Sequence, residues 1–208
     1  MASGSEDKIP LRRWRVGLIS GFAIHAFTAS LALVAGLASG TAIDLNGRPI
    51  DPLNDAGARA VVLFFAASDC PVSNRYIPEI QRLAKEFEPN GVRVWFVYPN
   101  AGDNARVVRM HDAAYNIDGS TALDPAQTLV RMSHATITPE AAVFTRDAAG
   151  LHEVYLGRID DRYIAFGRER PRTLHHDLED AVRAALEGKS VPQPDGPPVG
   201  CSIVTLQK

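Results

Sequence analysis

One short apolar run limits the folds open to this chain more than any other feature of its sequence. Residues 61–66 (VVLFFA) are all apolar, most of them strand formers, and polar and turn-forming residues lie on either side of the run. A run of this length without polar alternation is typical of a central strand covered on both faces. It therefore predicts a buried strand at the middle of an α/β domain.

The patterns after this run alternate between helix and strand. The predicted order is a strand over 61–66, a helix over 74–88, a strand over 92–98, helices over 103–115 and 125–134, strands over 141–145 and 153–157, and a helix over 173–187. Turn residues over 41–60 indicate a short hairpin or edge strand before them. This order implies a central mixed β-sheet flanked by helices, with an antiparallel pair at one edge.

Charge excludes one large class of function. The chain of 208 residues has 22 basic and 24 acidic residues, and from residue 16 onward the net charge is −4. A body of that charge has no electrostatic reason to bind nucleic acid. Two cysteines are also too few for a disulfide framework or a four-cysteine zinc site. We therefore expect no nucleic-acid partner and no bound metal.

The N-terminus has the composition of a targeting sequence, which we call the address. Residues 16–38 form an apolar segment of 23 residues that follows a basic stretch, and small residues come after it. That length is enough for a helix to cross a bilayer. A cleaved signal peptide, an uncleaved membrane anchor and a buried core helix are the three alternatives. The first two place the body outside the cytoplasm, where disulfide chemistry is permitted.

The stretch with the clearest chemical meaning lies between the first strand and the first helix. Cys70 follows the buried run and Pro71 comes next, a residue suited to the first turn of a helix. A cysteine at a helix N-terminus is near unpaired N–H groups that favour a thiolate. Ser73 stands three positions later, where its hydroxyl could hydrogen-bond that thiolate. The alternative is that Cys70 is a buried structural residue and Ser73 a simple cap.

The sequence around this cysteine resembles a known family. Residues 61–80 (VVLFFAASDCPVSNRYIPEI) are similar to the redoxin, or thiol-specific-antioxidant and alkyl hydroperoxide reductase, branch of the thioredoxin-like superfamily. Residues 138–140 resemble the cis-proline loop of that family, and 156–162 with 177–188 resemble its closing strand and helix. The resemblance covers roughly 43–188 and implies a thioredoxin-like fold.

The resemblance also implies roles for single residues. Cys70 would be the nucleophilic thiol, and Pro139 would face it with a cis peptide bond. The chain departs from the family in three places. Ser73 stands where the two-cysteine motif has its second cysteine, and Ala67 and Leu63 stand where the peroxidase motif has threonine and proline. A lone thiol at this site can form a mixed disulfide but cannot resolve it locally.

Cys201 is the candidate for the missing partner. It lies in a proline-rich C-terminal strap over residues 189–208. The thirteen steps from Gly188 to Cys201, at about 3 Å each, reach roughly 40 Å and can cross a domain of this size. Gly200 before it permits close approach to another backbone. We therefore hypothesise a reversible Cys70–Cys201 disulfide; a tail thiol without a role and an intermolecular bridge are the alternatives.

These observations together predict an exported, thioredoxin-like thiol–disulfide oxidoreductase that needs no dissociable cofactor. Its expected partners are protein or small-molecule thiols and disulfides and an external reductant. The predicted organisation is an address over 1–40, a redoxin domain over 41–188 and the strap over 189–208, in the periplasm or another extracytoplasmic space. The alternatives are a peroxiredoxin-like thiol peroxidase and a non-catalytic binding or metallochaperone module, in which Cys70 and His134 would hold a soft metal.

Overall fold

The computed structural model describes residues 41–148 and 150–206. The apolar segment predicted over 16–38 lies outside these residues. Within the described residues, no helix is both long enough and apolar enough to cross a bilayer.

The main strands and helices follow the predicted order, except that an unpredicted strand lies between the two helices expected to be consecutive. The strands are β1 Ala42–Ile43, β2 Pro49–Ile50, β3 Ala60–Phe65, β4 Val92–Tyr98, β5 Ser120–Leu123, β6 Ile137–Thr138, β7 Glu140–Asp147, β8 Gly150–Gly157, β9 Tyr163–Ala165, β10 Arg168–Glu169 and β11 Cys201–Ser202. The helices are α1 Pro71–Phe87, α2 Ala105–Tyr115, α3 Thr128–Ser133 and α4 Asp177–Leu186.

Seven of these strands form one mixed sheet, in the order β2-β1-β5-β4-β3-β7-β8. β3 pairs in parallel with β4, and β4 pairs in parallel with β5. On its other side β3 pairs antiparallel with β7, which forms a hairpin with β8. The run predicted to be the central buried strand is thus flanked by strands on both sides. Its C-terminal end lies next to the first residues of β7.

Side chains of β3 alternate between two apolar cores on opposite faces of the sheet. Val62 and Phe64 belong to one core, to which α1, α2 and α4 contribute. Val61, Leu63 and Phe65 belong to the other core, which contains residues of α3 and of the C-terminal strap. Burial on both faces explains why the run lacks polar residues.

α1 begins at Pro71, three residues before the predicted start. Cys70 is its N-cap, with an extended backbone (φ −86°, ψ 110°), and Pro71 fits the first turn because its missing N–H needs no partner there. The helix runs into a 3₁₀ turn, Glu88–Asn90. Gly91 then takes the left-handed conformation (φ 82°) that was predicted to close the helix.

The last helix is shorter than predicted. It begins at Asp177 instead of residue 173. The buried carboxylate of Asp161 accepts hydrogen bonds from the backbone N–H groups of Leu174 and His175, at 2.8 and 3.1 Å. These bonds hold the preceding residues in a loop, so the apolar spacing that suggested an earlier start does not produce a helical turn.

The C-terminal strap crosses the domain as an extended chain. Near its beginning, the Gln193 side chain donates to the carbonyl of Val154 on β8. Further along, β11 pairs antiparallel with β6 in a separate two-stranded sheet. Ile203 is buried against the second core and its N–H donates to the carbonyl of Thr136. The strap therefore reaches the loop that precedes β7.

Candidate active site

Cys70 lies at the junction of β3 and α1, and its side chain is 0% exposed. Its position at the helix N-cap places it beside N–H groups with no partner inside the helix, which favour an anion. The thiol itself donates a hydrogen bond to the backbone carbonyl of Thr138, with a sulfur–oxygen distance of 3.1 Å. Cys70 is not in a disulfide.

Thr138 precedes the proline that the resemblance placed opposite the cysteine. The Thr138–Pro139 peptide bond is cis, as expected. This loop follows α3 and leads directly into β7, the antiparallel neighbour of β3. The cis-proline loop and the Cys70 loop thus lie at the same end of two adjacent strands. That placement brings residues 68 positions apart in sequence into contact.

The strap brings Cys201 to the same loop. Cys201 is the register partner of Thr138 in the β6–β11 pair. The Thr138 hydroxyl donates to the Cys201 carbonyl at 3.3 Å. Thr138 therefore contacts both cysteines, through its own carbonyl on one side and through the strap on the other.

The two thiols influence each other directly. The pKa of Cys201 is raised from 9.0 to about 12, first by burial, then by its hydrogen bond with Cys70 and by the charge of Cys70 and of Asp69. Both cysteines are free thiols in this structure, Cys201 being half-buried. The arrangement is a reduced dithiol, with Cys201 strongly disposed to keep its proton.

Gly200 is required for this close approach. A Cβ added to Gly200 would lie 2.1 Å from the carbonyl oxygen of Thr138 and 2.8 Å from Cδ of Pro139. No side chain fits at such distances from backbone atoms. The glycine predicted to permit close approach of two backbones therefore lies directly against the cis-proline loop.

Ser73 supports the cysteine loop in a way that differs from the expectation. Its side chain is fully buried, and its oxygen accepts a hydrogen bond from the N–H of Ala67 at 3.4 Å. Among the hydrogen bonds of the described residues, Ser73 meets Ala67 and not the sulfur of Cys70. The Ser73 hydroxyl thus ties the first turn of α1 to the end of β3.

A buried carboxylate beneath the same loop was missed by sequence reasoning. Asp103 is 6% exposed, and its Oδ1 accepts hydrogen bonds from both the N–H and the hydroxyl of Ser68. Its Oδ2 is buried and has no hydrogen-bond partner among the described residues. Burial raises the pKa of Asp103, against the lowering effect of the Ser68 bonds. In the sequence, Asp103 stands in a Gly-Asp-Asn stretch that indicates only a turn.

A chain of polar side chains continues from the loop into the domain. Asn74 donates to the Ser68 carbonyl at 3.0 Å and contacts Nε2 of His111 at 2.8 Å. The other ring nitrogen of His111 meets the hydroxyl of Tyr98 at 3.0 Å. Burial lowers the pKa of His111, against the raising effect of Asp112 and Asp103. Near neutral pH this favours the uncharged ring, which can accept at one nitrogen and donate at the other.

On its other side the site is bounded by a second polar cluster. The Tyr76 hydroxyl donates to Asp160 at 2.5 Å, and the ring of Tyr76 lies near the ring of Tyr163. These residues, with Pro139 of the cis-proline loop and Val199 of the strap, line a small cavity. Burial and the bond to Asp160 raise the pKa of Tyr76, so it remains a hydroxyl donor.

Potential metal ligands cluster elsewhere. Within the described residues, the one group of three close candidate ligand atoms comes from Glu79, His176 and Glu179. Both glutamates already accept hydrogen bonds from Arg82. The group includes neither cysteine. His134, the other ligand considered for a metallochaperone, is exposed at the end of α3.

This architecture, with a cysteine at a helix start facing a cis-proline, is a thioredoxin-like fold. The AhpC/TSA family model matches residues 38–150, more than half of the chain, and the chain belongs to that family. This membership makes it an oxidoreductase. No curated protein matches the chain significantly.

Two solved structures are similar over most of the chain. An uncharacterized conserved protein from Geobacillus kaustophilus is 25% identical, with a TM-score of 0.69, over 81% of this chain and 89% of that one. A hypothetical protein from Sinorhizobium meliloti 1021 is 23% identical, with a TM-score of 0.65, over 78% of this chain and 88% of that one. Both support the fold, and neither name assigns an activity.

Proposed function

We propose that this protein is a thiol–disulfide oxidoreductase in which Cys70 is the nucleophile and Cys201 the resolving thiol. The observation that carries the proposal is that Thr138 contacts both cysteines. Its carbonyl accepts a hydrogen bond from the Cys70 thiol, and its backbone pairs with Cys201 in the β6–β11 sheet. A resolving thiol must reach the sulfur of the nucleophile. Here the raised pKa of Cys201, caused in part by Cys70, is further support that the two side chains meet.

The chemistry is a two-electron exchange that balances without a cofactor. The Cys70 thiolate attacks a partner disulfide, forming a mixed disulfide and releasing one partner thiolate, which takes up the proton that Cys70 lost. Cys201 then loses its proton and attacks the Cys70 sulfur, forming a Cys70–Cys201 disulfide and releasing the second partner thiolate, which takes up that proton. The partner gains two electrons, and an external dithiol reductant returns the protein to its starting state.

The fully buried Cys70 sets a condition on the first step. A partner disulfide cannot reach a side chain that is 0% exposed, so the strap must first move away from the cis-proline loop. The strap returns for the second step, carrying Cys201 to the mixed disulfide. One movement of the strap therefore exposes the nucleophile, and the reverse movement delivers the resolving thiol.

Two residues count against the thiol-peroxidase alternative. Leu63 and Ala67 stand where the peroxidase motif of the family has proline and threonine. Both side chains are buried, and Ala67 lacks the hydroxyl with which the motif's threonine could donate a hydrogen bond to a peroxide. This favours disulfide exchange. The apolar sequence over 16–38 supports export or anchoring, so we place the reaction in an extracytoplasmic compartment. We assign residues 1–40 to the signal peptide or membrane anchor, 41–188 to the redoxin domain and 189–208 to the strap.

Single-cysteine variants test the proposal. Incubated with a disulfide-containing protein, Cys201→Ser should accumulate a mixed disulfide at Cys70, because the resolving thiol is gone. Cys70→Ser should form none, and the unsubstituted chain should reduce the partner and acquire an internal disulfide. Non-reducing electrophoresis with peptide mapping reads all three. A mixed disulfide mapped to Cys201 in the unsubstituted chain would contradict the assigned roles.

A further inference from the structure

Apart from the two cysteines, one buried side chain forms hydrogen bonds with the backbone of the strap. Gln127 is 4% exposed although its amide is polar. Its Nε2 donates to the carbonyl of Val204 at 2.6 Å, and its Oε1 accepts from the N–H of Leu206 at 3.1 Å. A single amide thus binds one acceptor and one donor of the strap, three and five residues after Cys201.

The base of this side chain is itself held firmly. Gln127 has a left-handed backbone (φ 52°, ψ 37°), which is uncommon for a residue other than glycine, asparagine or aspartate. Its N–H donates to the carbonyl of Asp124. The Asp124 carboxylate in turn accepts from the N–H groups of Thr128 and Val130 at the start of α3. This unfavourable conformation aims the amide at the strap.

A second loop completes the hold on the same strap residue. The Asn100 side chain accepts from the N–H of Val204 at 3.1 Å. Val204 therefore has its N–H bound by Asn100 and its carbonyl bound by Gln127. Its own side chain is 71% exposed, so burial of that side chain does not explain why the strap is held at this point. The contacts recognise the backbone of the strap at this point.

We propose that Gln127 is a positioning residue that clamps the strap and so keeps Cys201 beside Cys70. This inference rests on the proposed function and adds a residue to it. β11 has only two residues, and a strand pair that short is weak without support beyond its end. By fixing the chain after Cys201, the clamp raises the effective concentration of the resolving thiol at the nucleophile.

The clamp has two consequences of opposite direction. It stabilises the Cys70–Cys201 disulfide, because the two thiols are held together before the bond forms. It also keeps Cys70 covered, because the same strap lies over the cis-proline loop. Release of the clamp should make the disulfide easier to reduce and should make the Cys70 thiol of the reduced protein react faster with alkylating agents.

Gln127→Asn is the sharpest variant. Asparagine tolerates the left-handed backbone better than glutamine and keeps the amide, but it is one methylene too short to reach the carbonyl of Val204. The equilibrium to measure is protein disulfide plus two glutathione against protein dithiol plus glutathione disulfide. We expect at least a tenfold shift toward the dithiol, equivalent to about 30 mV. We also expect a severalfold faster reaction of Cys70 with iodoacetamide.

Two further variants separate the clamp from a general loss of stability. Gln127→Gly removes the side chain and relaxes the backbone, so it should shift the equilibrium in the same direction while thermal unfolding shows an intact fold. Gln193→Ala removes an amide of the same type from the exposed part of the strap. It should leave both readouts within twofold of the unsubstituted chain.

The outcomes are distinguishable from those of the proposed function. An unchanged glutathione equilibrium in both Gln127 variants, with the disulfide present in the unsubstituted chain, would overturn the clamp and leave the Cys70–Cys201 mechanism standing. If the unsubstituted chain formed no such disulfide, the mechanism would fail, and the iodoacetamide rates would decide the clamp alone. Equal rates in all variants would then overturn it as well.

Discussion

The two cysteines of the site are held by different parts of the molecule and by different forces. Cys70 stands between a central strand and a helix whose apolar side chains fill the larger core. Cys201 stands on a strap held by a few hydrogen bonds, by the buried side chain of Ile203 and by the fit of Gly200 against the cis-proline loop. One thiol is fixed by the folding of the whole domain, whereas the other is fixed by a few local contacts.

This difference matters for the proposed mechanism, which gives the two thiols different roles. Each hydrogen bond of the strap contributes only about 1 kcal/mol, so the strap can detach at a far lower free energy than the domain needs to unfold. In that mechanism Cys70 keeps its position next to the start of α1 throughout. The resolving thiol can leave and return, which is what the two steps of disulfide exchange require.

The largest effect is expected when the approach of the strap is blocked. Gly200→Ala places a Cβ 2.1 Å from the Thr138 carbonyl oxygen, so β11 cannot pair with β6. We expect the internal disulfide to be lost and Cys70 to react with iodoacetamide at least tenfold faster, while the free energy of unfolding falls by only about 1–2 kcal/mol.

Gly196→Ala is the matched control. A Cβ there meets only the end of the Arg158 side chain, at 2.9 Å from Nη1, whereas Arg158 bonds Asp177 through Nε and Nη2, so a small shift of Nη1 can relieve the contact. This variant should keep the disulfide and the slow alkylation of Cys70. Quantified free thiols after oxidation and the alkylation rates provide the comparison, and equal behaviour of the two alanine variants would show that the strap does not depend on Gly200.

A second prediction concerns the influence of the fixed thiol on the mobile one. The pKa of Cys201 is raised to about 12, with burial as the largest cause and Cys70 as the next. In Cys70→Ser we expect that pKa to fall while staying above the ordinary value of 9.0. Alkylation of Cys201 as a function of pH measures the change, and an unchanged profile would mean that the two side chains do not interact in solution.

The same shift has a consequence for stability. A thiol whose pKa is higher in the folded state than in the unfolded state stabilises the fold fully below pH 9, and this contribution is lost as the pH rises through about 12. Between those values the strap should detach before the domain unfolds. Cys201→Ser lacks this titration and should show a weaker alkaline dependence of Cys70 exposure.

The smallest effect is expected beneath the cysteine loop. Asp103 is buried with a raised pKa, so its ionised form costs stability at neutral pH, and this cost vanishes below about pH 3.8, where the unfolded chain is protonated as well. Asp103→Asn keeps an oxygen for the two Ser68 bonds and removes the charge. We expect a gain of about 1 kcal/mol at pH 7 that disappears at pH 3.

Urea unfolding at the two pH values measures this effect. Because Asp103 supports the Cys70 loop and not the strap, its substitution should leave the glutathione equilibrium of the two thiols within twofold of the unsubstituted value. A large change in that equilibrium would mean that the two halves of the site are coupled through the Ser68 loop, and would weaken the distinction drawn between them.

The half of the site built by the core could be predicted from sequence, and the reason is burial. The run over 61–66 became β3, Ala60–Phe65, and the strand predicted over 92–98 has the same bounds in the structure. Each strand is specified by a pattern of neighbouring residues, so its prediction does not need the rest of the fold. The cis bond before Pro139 was also expected, because the residues around it resemble a family in which that loop faces the cysteine.

The remaining features depend on contacts between distant residues. β5 was missed because the sequence of Ser120–Leu123 is short and half polar, and only pairing with β4 makes it a strand. The length of the strap predicts that it can reach across the domain, but it does not predict which loop the strap contacts there. Asp103 and Gln127 carry no local signal, since a turn aspartate and a glutamine before a helix are ordinary until the folded chain surrounds them.

The pairing of Cys201 with Thr138 also affects how the protein can associate with other chains. Ile137 and Thr138 are a bare two-residue strand whose hydrogen-bonding groups are covered by the strap. Unpaired strand edges are templates for adhesion between molecules. If the strap opens as the proposed mechanism requires, it exposes such an edge together with the Cys70 sulfur, so its return would protect the protein from self-association as well as from unwanted oxidation.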